Sequence, residues 1–453
     1  MSELLSWAAA RAADGDIPGH VLRTALVIVC DDLAAMLVAH TEDEVRAVTA
    51  QAVGGPGPAG APESTVVGAP GRRADRRSAA LANAVAANWT ELDGGYRPAT
   101  CHGSLYALPA ALAEVEATGG TLGDLLRAHV LGYEVVTRVA RAYRPPVPLA
   151  LHPHATLSPI GAAAALAAAR RLDAGTFAAA VLGAASMSLT GPFSHATGGA
   201  TIRNAWAGAG AQLGFVAVDV AAAGLTASPA VLDEVFAATV VTPGELTAGL
   251  GERWGVEDGY QKPYACCQYL HASVEAAATL VVALPDDVDA IASVEVRTHP
   301  LGAALTEADP ATTLAGRFSL PHAVSTVLHH RTTDAAVFSG AHLHDPGTAA
   351  LRGRVRVEEW ADTPAAPHDR PSTVRVTLRD GRVLEETVLS AAGGPDRPLS
   401  RPELLAKYET LTGGLRPGFA DRVRDLTDPR GPLDLDVPLR DLLDGLLGTA
   451  AAR

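Results

Sequence analysis

The sequence predicts a mainly α protein, with a large all-helical domain built from both chain ends and a smaller α+β domain inserted between them. Apolar residues recur at helical spacing through roughly the first 250 residues, whereas segments in the second half alternate apolar and polar residues, as half-buried strands do. A chain of 453 residues also exceeds the roughly 250 to 300 residues at which a single core stops growing. We therefore expect a helical domain at 1–258 and 397–453 and an α+β domain at 259–396.

The helical domain is predicted from amphipathic and small-residue segments separated by glycine and proline. Helices are expected within residues 1–50, 76–89, 105–118, 121–143 and 159–189. Thr121 precedes one of them as an N-cap residue, because its hydroxyl can accept from the first backbone amides of the helix. The segment 51–75 (QAVGGPGPAGAPESTVVGAPGRRAD) is dense in glycine and proline and predicts a loop.

The smaller domain is predicted from three alternating segments. Strands are expected in IASVEVRTHP (291–300), LRGRVRVEEW (351–360) and STVRVTLRDGRVLEETVLS (372–390). The last contains Asp380-Gly381 between alternating runs, which indicates a hairpin. A helix is expected at LPHAVSTVLHH between strands, and RPELLAKYETL returns to helix and to the large domain.

Composition excludes several functional classes. The net charge of -14 and the pI near 5.5 oppose binding to nucleic acid or to an anionic membrane. The N-terminus carries acids where a secretory signal carries a basic region, and we find no apolar run of about 18 residues, so we expect a cytoplasmic protein. Four cysteines in so long a chain form no disulfide framework, and reduced thiols are expected.

Lysine is almost absent from this chain, which has 34 arginines and only Lys262 and Lys407. Lysine differs from arginine in that burial can lower its pKa far enough for it to exchange protons. Lys262 lies in QKPYACCQYLHASV, together with adjacent cysteines and a histidine. We interpret Lys262 as a candidate acid or base, although a surface ion pair is an equally ordinary reason to keep a lysine.

Metal and cofactor chemistry lack support in the sequence. Adjacent Cys266 and Cys267 do not chelate zinc comfortably, and we expect them to pack in the core. The H-P-H at 152 to 154 has no carboxylate-rich partner motif, and neither G-x-G-x-x-G after a strand nor a P-loop occurs. We therefore expect no metal and no organic cofactor at the site, and proton transfer by side chains.

The order of several motifs along nearly the whole chain resembles the MmgE/PrpD family. The motifs include NAVAANWTELDGGYRPATCHGS, LHPHATLSPIG, GGATIRNAWAGAG, QKPYACCQYLH, RFSLPHAVS and GGPDRPLS. K-P-Y-x-C with a histidine nine residues after the lysine is the most specific of them. The resemblance implies a helical domain from both chain ends, an inserted α+β lid domain, a homodimer, and a cleft that needs neither metal nor organic cofactor.

Carried over residue by residue, the resemblance places the family's site on the polar residues that concentrate at helix starts and loops in this chain. We expect the catalytic residues to be Asp93, His102, His152, Lys262 and His322, with Lys262, His102 or His152 abstracting a proton and a second group returning one. We expect substrate binding by Glu91, Arg203, His271 and the backbone at Gly199. Lys262 and His271 are expected to form the working pair.

Three positions depart from the family pattern. Arg203 replaces the usual lysine, and arginine can bind a carboxylate but does not serve as a base. His322 replaces the usual tyrosine after F-S-L-P, and Gly94 replaces the second acid of a D-D pair. The substrate is therefore left open within the family.

The expected activity is that of a carbon-oxygen lyase, a dehydratase that removes a proton next to a carboxylate of a hydroxy di- or tricarboxylic acid. Dehydration comes first because it uses both an acid and a base. An epimerase or isomerase, and a decarboxylase, are the alternatives, since they use the same proton transfers. A catalytically inactive carboxylate-binding homologue is a further alternative.

Overall fold

A computed structural model of the protein describes residues 1–54, 61–237 and 239–448. The helices of the N-terminal half are α1 (Ser2–Asp14), α2 (Gly19–Ala39), α3 (Asp43–Gly54), α4 (Arg76–Trp89), α5 (Gly103–Ala117), α6 (Leu122–Ala142), α7 (Pro153–Thr156), α8 (Ser158–Ala169), α9 (Ala174–Ser186), α10 (Ser194–Thr197), α11 (Trp206–Ala222) and α12 (Val231–Val235). The remaining helices are α13 (His271–Leu280), α14 (Pro300–Ala303), α15 (Thr313–Arg317), α16 (Leu320–His330), α17 (Gly340–Leu343), α18 (Pro346–Arg352), α19 (Arg401–Thr412), α20 (Phe419–Leu426) and α21 (Leu439–Leu447).

Six two-residue strands and four longer ones accompany the helices. The short strands are β1 (Ser64–Thr65), β2 (Arg73–Ala74), β3 (Gly95–Tyr96), β4 (Tyr143–Arg144), β5 (Val240–Val241) and β6 (Gly259–Tyr260), and the longer ones are β7 (Ile291–Thr298), β8 (Val355–Glu359), β9 (Ser372–Leu378) and β10 (Val383–Val388). Turns of 3₁₀ helix lie at Thr201–Ala205, Pro243–Leu246, Gly255–Asp258, Gln268–Leu270, Val281–Ala283, Val288–Ala290 and Ala335–Phe338. The mainly α class is confirmed.

Small residues let the central helices α5, α6, α8 and α11 approach closely. Gly132 on α6 faces Ala165 on α8, and a Cβ at 132 would lie 2.6 Å from the alanine Cβ. Gly214 on α11 faces Ala162 on α8 at the same 2.6 Å. Any larger side chain at either glycine would push two backbones apart, so the glycines set the helix spacing of the core.

Several local predictions are confirmed. Helix α4 spans the predicted segment 76–89, and Thr121 caps α6 through a capping box with Asp124. The predicted loop 51–75 is partly wrong, because α3 continues to Gly54; residues 55–60 lie outside the described part of the chain.

The segment 201–222 is long and apolar enough to cross a membrane, by length and composition alone, and 56% of its most apolar window is buried inside the protein. Burial of that kind is ordinary for a core helix.

The sheet unit, residues 291–388, contains a mixed four-stranded sheet in the order β10-β9-β7-β8. β9 and β10 form the predicted antiparallel hairpin, with Gly381 at a φ of 89° in its turn, and β8 pairs with β7 in parallel. Helix α16 covers the predicted segment LPHAVSTVLHH and follows the cap residue Ser319. The C-terminal α19 packs on α2, where Lys407 bonds Asp31 at 2.6 Å.

Candidate active site

One cavity lies where the helical part of the chain meets the sheet unit. Its lining includes five of the predicted site residues, namely Glu91, His102, His152, Arg203 and Lys262. Each of the five lies in a loop or at a helix start: His102 and His152 are the N-cap residues of α5 and α7, and Arg203 lies in the 3₁₀ turn before α11. The fold therefore brings together residues that are up to 171 positions apart in the chain.

A two-residue strand pair places Lys262 beside the acidic loop. β3 pairs with β6 so that Gly95 faces Tyr260, two residues before Lys262. The glycines of this loop leave no room for side chains. A Cβ at Gly94 would lie 2.8 Å from the Tyr260 carbonyl oxygen, and a Cβ at Gly95 would lie 2.2 Å from the Tyr260 hydroxyl. The glycine that replaces the family's second acid is thus required by this backbone packing.

Glu91 is the centre of a buried ion-pair network. One carboxylate oxygen accepts from Arg203 Nη1 at 2.5 Å and the other from Lys262 Nζ at 3.1 Å, and all three side chains are at most 2% exposed. Glu91 has a φ of 56°, a left-handed backbone conformation that costs a non-glycine residue energy. Burial raises the pKa of Glu91, but Arg203 and Lys262 outweigh burial and lower it, so Glu91 is ionised. Such strain held by a buried network is typical of functional sites.

Asp93 and His102 form a second unit behind the first. Asp93 Oδ2 lies 2.7 Å from His102 Nδ1, while the ring N–H at Nδ1 donates to the Gly94 carbonyl at 3.1 Å. Because Nδ1 carries the proton, Nε2 of the neutral ring has a lone pair, and His102 lines the cavity. Burial raises the pKa of Asp93, but Lys262 and His102 outweigh it and hold that pKa well below its ordinary value. The carboxylate can therefore stabilise a positive charge on His102 when the ring accepts a proton.

Lys262 is charged in this structure, which corrects the expectation that burial prepares it as a base. Burial alone lowers its pKa, but Asp93, 3.6 Å from Nζ, and Glu91 together raise the pKa well above the ordinary value. The chemistry open to Lys262 is therefore that of a cation: it can hold developing negative charge on a substrate.

His152 is neutral and has one nitrogen committed to the backbone. The His154 amide donates to its Nδ1 at 3.1 Å, and Arg203 Nε–H donates to its Nε2 at 3.3 Å. A neutral imidazole has one ring nitrogen with a lone pair, so each tautomer of His152 accepts only one of these two hydrogen bonds. Burial and the charge of Arg203 hold the pKa of His152 well below its ordinary value. Because a donor already faces each ring nitrogen, His152 is poorly placed to act as a base.

His154 is a buried site residue that the sequence prediction omitted. Its Nδ1 bonds the Tyr106 hydroxyl at 2.9 Å, and Nε2 has no hydrogen-bond partner among the described residues. A ring nitrogen of His154 lies within 4.8 Å of an Asp93 oxygen and a His102 nitrogen. Three such groups could hold a metal ion, but the Lys262 ammonium already lies 3.6 Å from Asp93 and supplies positive charge there. Because the charge of Asp93 is already balanced by Lys262, these three residues suit a buried ion pair better than a metal site.

Arg370 is a second omitted residue, and it contributes positive charge from the sheet unit. It lines the cavity, donates to the Gln268 side chain and lies over the Tyr269 ring. In the described part of the chain no carboxylate lies within 4.0 Å of it, and the adjacent Asp369 is paired with Arg97. The cavity lining thus has three cations and one carboxylate, that of Glu91, and the Asp93 carboxylate lies 3.6 Å from Lys262. Arg370 lies in a loop whose sequence gave no signal for binding.

Four predicted residues do not line this cavity: Asp93, which contacts His102 and Lys262 behind the lining, and the three residues His271, His322 and Gly199, which lie farther away. His271 Nε2–H donates to the Cys266 carbonyl at 3.2 Å and the residue lines a neighbouring small cavity, so it does not pair with Lys262. His322 Nδ1 lies 3.1 Å from Arg352 Nη1 inside the sheet unit. The Gly199 carbonyl accepts from Thr312 at 2.9 Å, and the residue joins the sheet unit to the helical part. Burial lowers the pKa of His271 and of His322 to about 3, which leaves both rings neutral.

The two adjacent cysteines behave as packing residues in the structure. Both are buried, and burial raises the pKa of Cys267 to about 12 and that of Cys266 well above its ordinary value. A thiol that stays protonated is a poor nucleophile. Cys267 lines the cavity as an apolar surface.

Comparison with known proteins identifies the family to which the chain belongs. Family models described as the MmgE/PrpD N-terminal and C-terminal domains match residues 3–245 and 264–427. Two proteins named cis-aconitate decarboxylase, one from Aspergillus terreus and one from its strain NIH 2624 / FGSC A1156, are each 26% identical to this chain over 477 and 484 residues. The alignments cover 98% of this chain and 95% of each relative. Because the two family models match most of its residues, the chain belongs to the MmgE/PrpD family.

Proposed function

We propose that this protein is a lyase that acts on a carboxylic acid without an organic cofactor, and that it catalyses dehydration of a hydroxy di- or tricarboxylic acid. The observation that carries the proposal is the Asp93–His102 pair, whose Nε2 is available to the same cavity as Lys262 and Arg370. A base beside an excess of positive charge suits removal of a proton next to a carboxylate.

In the proposed reaction His102 Nε2 removes the proton from the carbon next to a carboxylate. The electron pair left behind delocalises onto that carboxylate, where the Lys262 ammonium stabilises the added negative charge. The hydroxyl on the neighbouring carbon leaves as water, with the proton that His102 acquired, and a carbon-carbon double bond forms. Asp93 stabilises the positively charged ring between the two proton transfers, as its ionised carboxylate is 2.7 Å from Nδ1.

Substrate carboxylates are proposed to bind at two places. Arg203 Nη2 makes no hydrogen bond with the described residues, so its N–H groups can donate to one carboxylate. Arg370 offers its uncompensated charge to a second. The cavity has a volume of about 40 Å³, which is room for about three water molecules. We therefore propose that the sheet unit moves to admit the acid and that the structure represents a closed state.

Decarboxylation is the second candidate, and the names of the two relatives favour it. In that reaction a substrate carboxylate leaves as carbon dioxide, and the electron pair on carbon takes a proton from His102 in its protonated form. The same residues then serve with the proton moving in the opposite direction. The two reactions therefore differ in the charge that His102 needs before catalysis.

Proton NMR in D₂O tests the proposal and separates the candidates. The chelator-treated protein is incubated with hydroxysuccinates, substituted succinates, citrates and cis-aconitate. Olefinic signals from a hydroxy acid support dehydration, and loss of a carboxylate with release of carbon dioxide supports decarboxylation. Deuterium incorporation alone indicates an epimerase. A rise in melting temperature with none of these reactions contradicts the proposal and indicates a carboxylate-binding protein.

Arg370→Met is expected to raise KM about 10- to 100-fold and to change kcat little, because a charge-assisted bond that forms before and during reaction contributes to binding. Steady-state kinetics with the substrate found by NMR checks this. Arg356→Met, an exposed arginine on β8, serves as the control and should leave both constants unchanged. An equal fall in kcat and kcat/KM for Arg370→Met would assign the residue to the transition state instead.

A further inference from the structure

A second group of ligand-type side chains lies in the sheet unit, outside the candidate active site. Residues 329–345 contain His329, His330, His342, His344 and Asp345, so four of the chain's 15 histidines lie within 17 positions. They belong to three successive elements: the last turn of α16, the helix α17 and the residue that caps α18. The proposed reaction uses none of them.

The fold brings four of these side chains into one cluster. His329 Nε2 lies 3.0 Å from Asp345 Oδ2, and one nitrogen of His330 lies within 4.8 Å of both groups. The ring of His330 is also 4.7 Å from that of His329 and 4.6 Å from that of His342, between their centroids. All four residues are partly exposed, so a solvated ion could reach them.

Supporting contacts hold the cluster in place. The Thr348 amide donates to Asp345 at 2.9 Å, and the Thr348 hydroxyl lies 3.3 Å from His330 Nε2. The ring of His329 lies directly over Gly347, where a Cβ would be 2.2 Å from a ring carbon. A side chain at 347 would therefore displace His329, so the backbone of α18 and the ring fit each other only with glycine there.

We propose that His329, His330 and Asp345, with His342 available as a fourth ligand, bind a divalent transition-metal ion, and that zinc suits the set best. Imidazole nitrogens with one carboxylate oxygen are ligands that zinc favours in a tetrahedron. Ligands about 2.0 to 2.1 Å from zinc are about 3.3 Å from one another. The 3.0 Å distance between His329 Nε2 and Asp345 Oδ2 is already close to this separation. Rotation of the side chains would bring the nitrogens of His330 and His342 closer to them.

The bound ion would tie together two helices of the sheet unit. At one end of the α16–α18 pair His322 contacts Arg352, 3.1 Å apart. At the other end the cluster joins the last turn of α16 to the cap of α18. A metal ion there would link the last turn of α16 to the start of α18 and should therefore stabilise the fold. The site is separate from the proposed reaction.

Metal content of the untagged, chelator-treated protein tests the proposal. After equilibration with micromolar ZnCl₂ and gel filtration, we expect about one zinc per chain, and with CoCl₂ the intense visible bands of tetrahedral cobalt without a thiolate band. His329→Gln combined with Asp345→Asn should weaken zinc binding at least about tenfold. His342→Gln, which removes only the fourth ligand and leaves the helix cap, should weaken it by a smaller factor and covers the case that the double variant does not fold.

Two controls determine where any bound zinc lies. His368→Gln, an exposed histidine before Arg370, should retain full zinc binding. His154→Gln should also retain it, whereas loss of zinc in this variant would place the ion at Asp93, His102 and His154 and overturn the proposal. The proposal is equally overturned if the wild-type protein retains less than about a tenth of an equivalent, or if both cluster variants bind as the wild type does.

Discussion

Lys262→Met is expected to lower kcat about 100- to 1,000-fold and the free energy of unfolding by about 3 to 5 kcal/mol. The kinetic loss follows because Lys262 is the cation placed to stabilise charge on the substrate. The loss of stability follows because Glu91 and Asp93 stay buried, and the ammonium 3.1 and 3.6 Å from them disappears. Urea denaturation and steady-state kinetics on the folded variant measure the two effects separately.

The other lysine of the chain provides a matched control. Lys407 pairs with Asp31 at 2.6 Å and its side chain is 8% exposed, so Lys407→Met also leaves a buried carboxylate without its cation. We expect a comparable loss of stability and an unchanged kcat, because Lys407 does not line the cavity. Equal losses of kcat in the two variants would show that the effect of Lys262→Met is general destabilisation, and would remove its proposed role.

Acidification from pH 6.5 to pH 5.5 is expected to lower the free energy of unfolding by about 4 kcal/mol, a large part of the roughly 5 to 15 kcal/mol of a typical protein. The cause is a set of six buried histidines that are neutral in the folded protein. Burial lowers the pKa of four of them to about 3 or 4 and that of His152 and His154 well below the ordinary histidine value. The six histidines are His129, His152, His154, His271, His299 and His322. Each takes up a proton only on unfolding, near its ordinary pKa of 6.5.

One buried acid opposes this effect and reduces its size. Burial raises the pKa of Asp32 to about 7, so Asp32 releases about one proton on unfolding in this pH range. Burial also raises the pKa values of Asp31 and Glu134, but each of these acids is paired with a buried cation, Lys407 or Arg138. Between pH 6.5 and pH 5.5 each unfolded histidine holds on average about three quarters of a proton, so the six histidines take up about four to five protons. The net uptake of about three to four protons destabilises the fold by about 4 to 5 kcal/mol over this pH unit.

Urea denaturation at pH 7.5, 6.5 and 5.5 measures this dependence. His129→Gln serves as the matched variant, because His129 is buried away from the cavity and its removal should reduce the slope by about one proton. A free energy of unfolding that stays constant over this range would contradict the set of neutral buried histidines.

Local chemistry made much of the fold predictable. The segment 76–89 has an amphipathic pattern after a capping aspartate, and α4 has those bounds. Asp380-Gly381 between alternating runs became the β9–β10 hairpin, because Gly381 supplies the positive φ of its turn. The end of α3 was not predicted, since glycine at its last position looked like the start of a loop. The domain boundaries at 259 and 397 stay a prediction.

The site was predictable only where residue type and position were both unusual. Lys262 stood out because lysine is scarce, and Glu91 and His102 because polar residues are concentrated in a glycine-rich loop. The raised pKa of Lys262 was not predictable, because it depends on carboxylates brought in by the two-residue pair β3–β6. His271 was misplaced since the 3₁₀ turn at Gln268–Leu270 directs it toward Cys266. Arg370 has no local signal at all.

The proposed dehydration depends on His102 moving the proton next to a substrate carboxylate. The rate at which that carbon-bound proton exchanges with D₂O tests this role, and NMR measures the rate for the wild type and for His102→Gln at equal folded concentration. We predict a rate at least about 100-fold lower in the variant, the lower limit of a general base's contribution. An exchange rate within about tenfold of the wild type would contradict the assignment of His102 as the base.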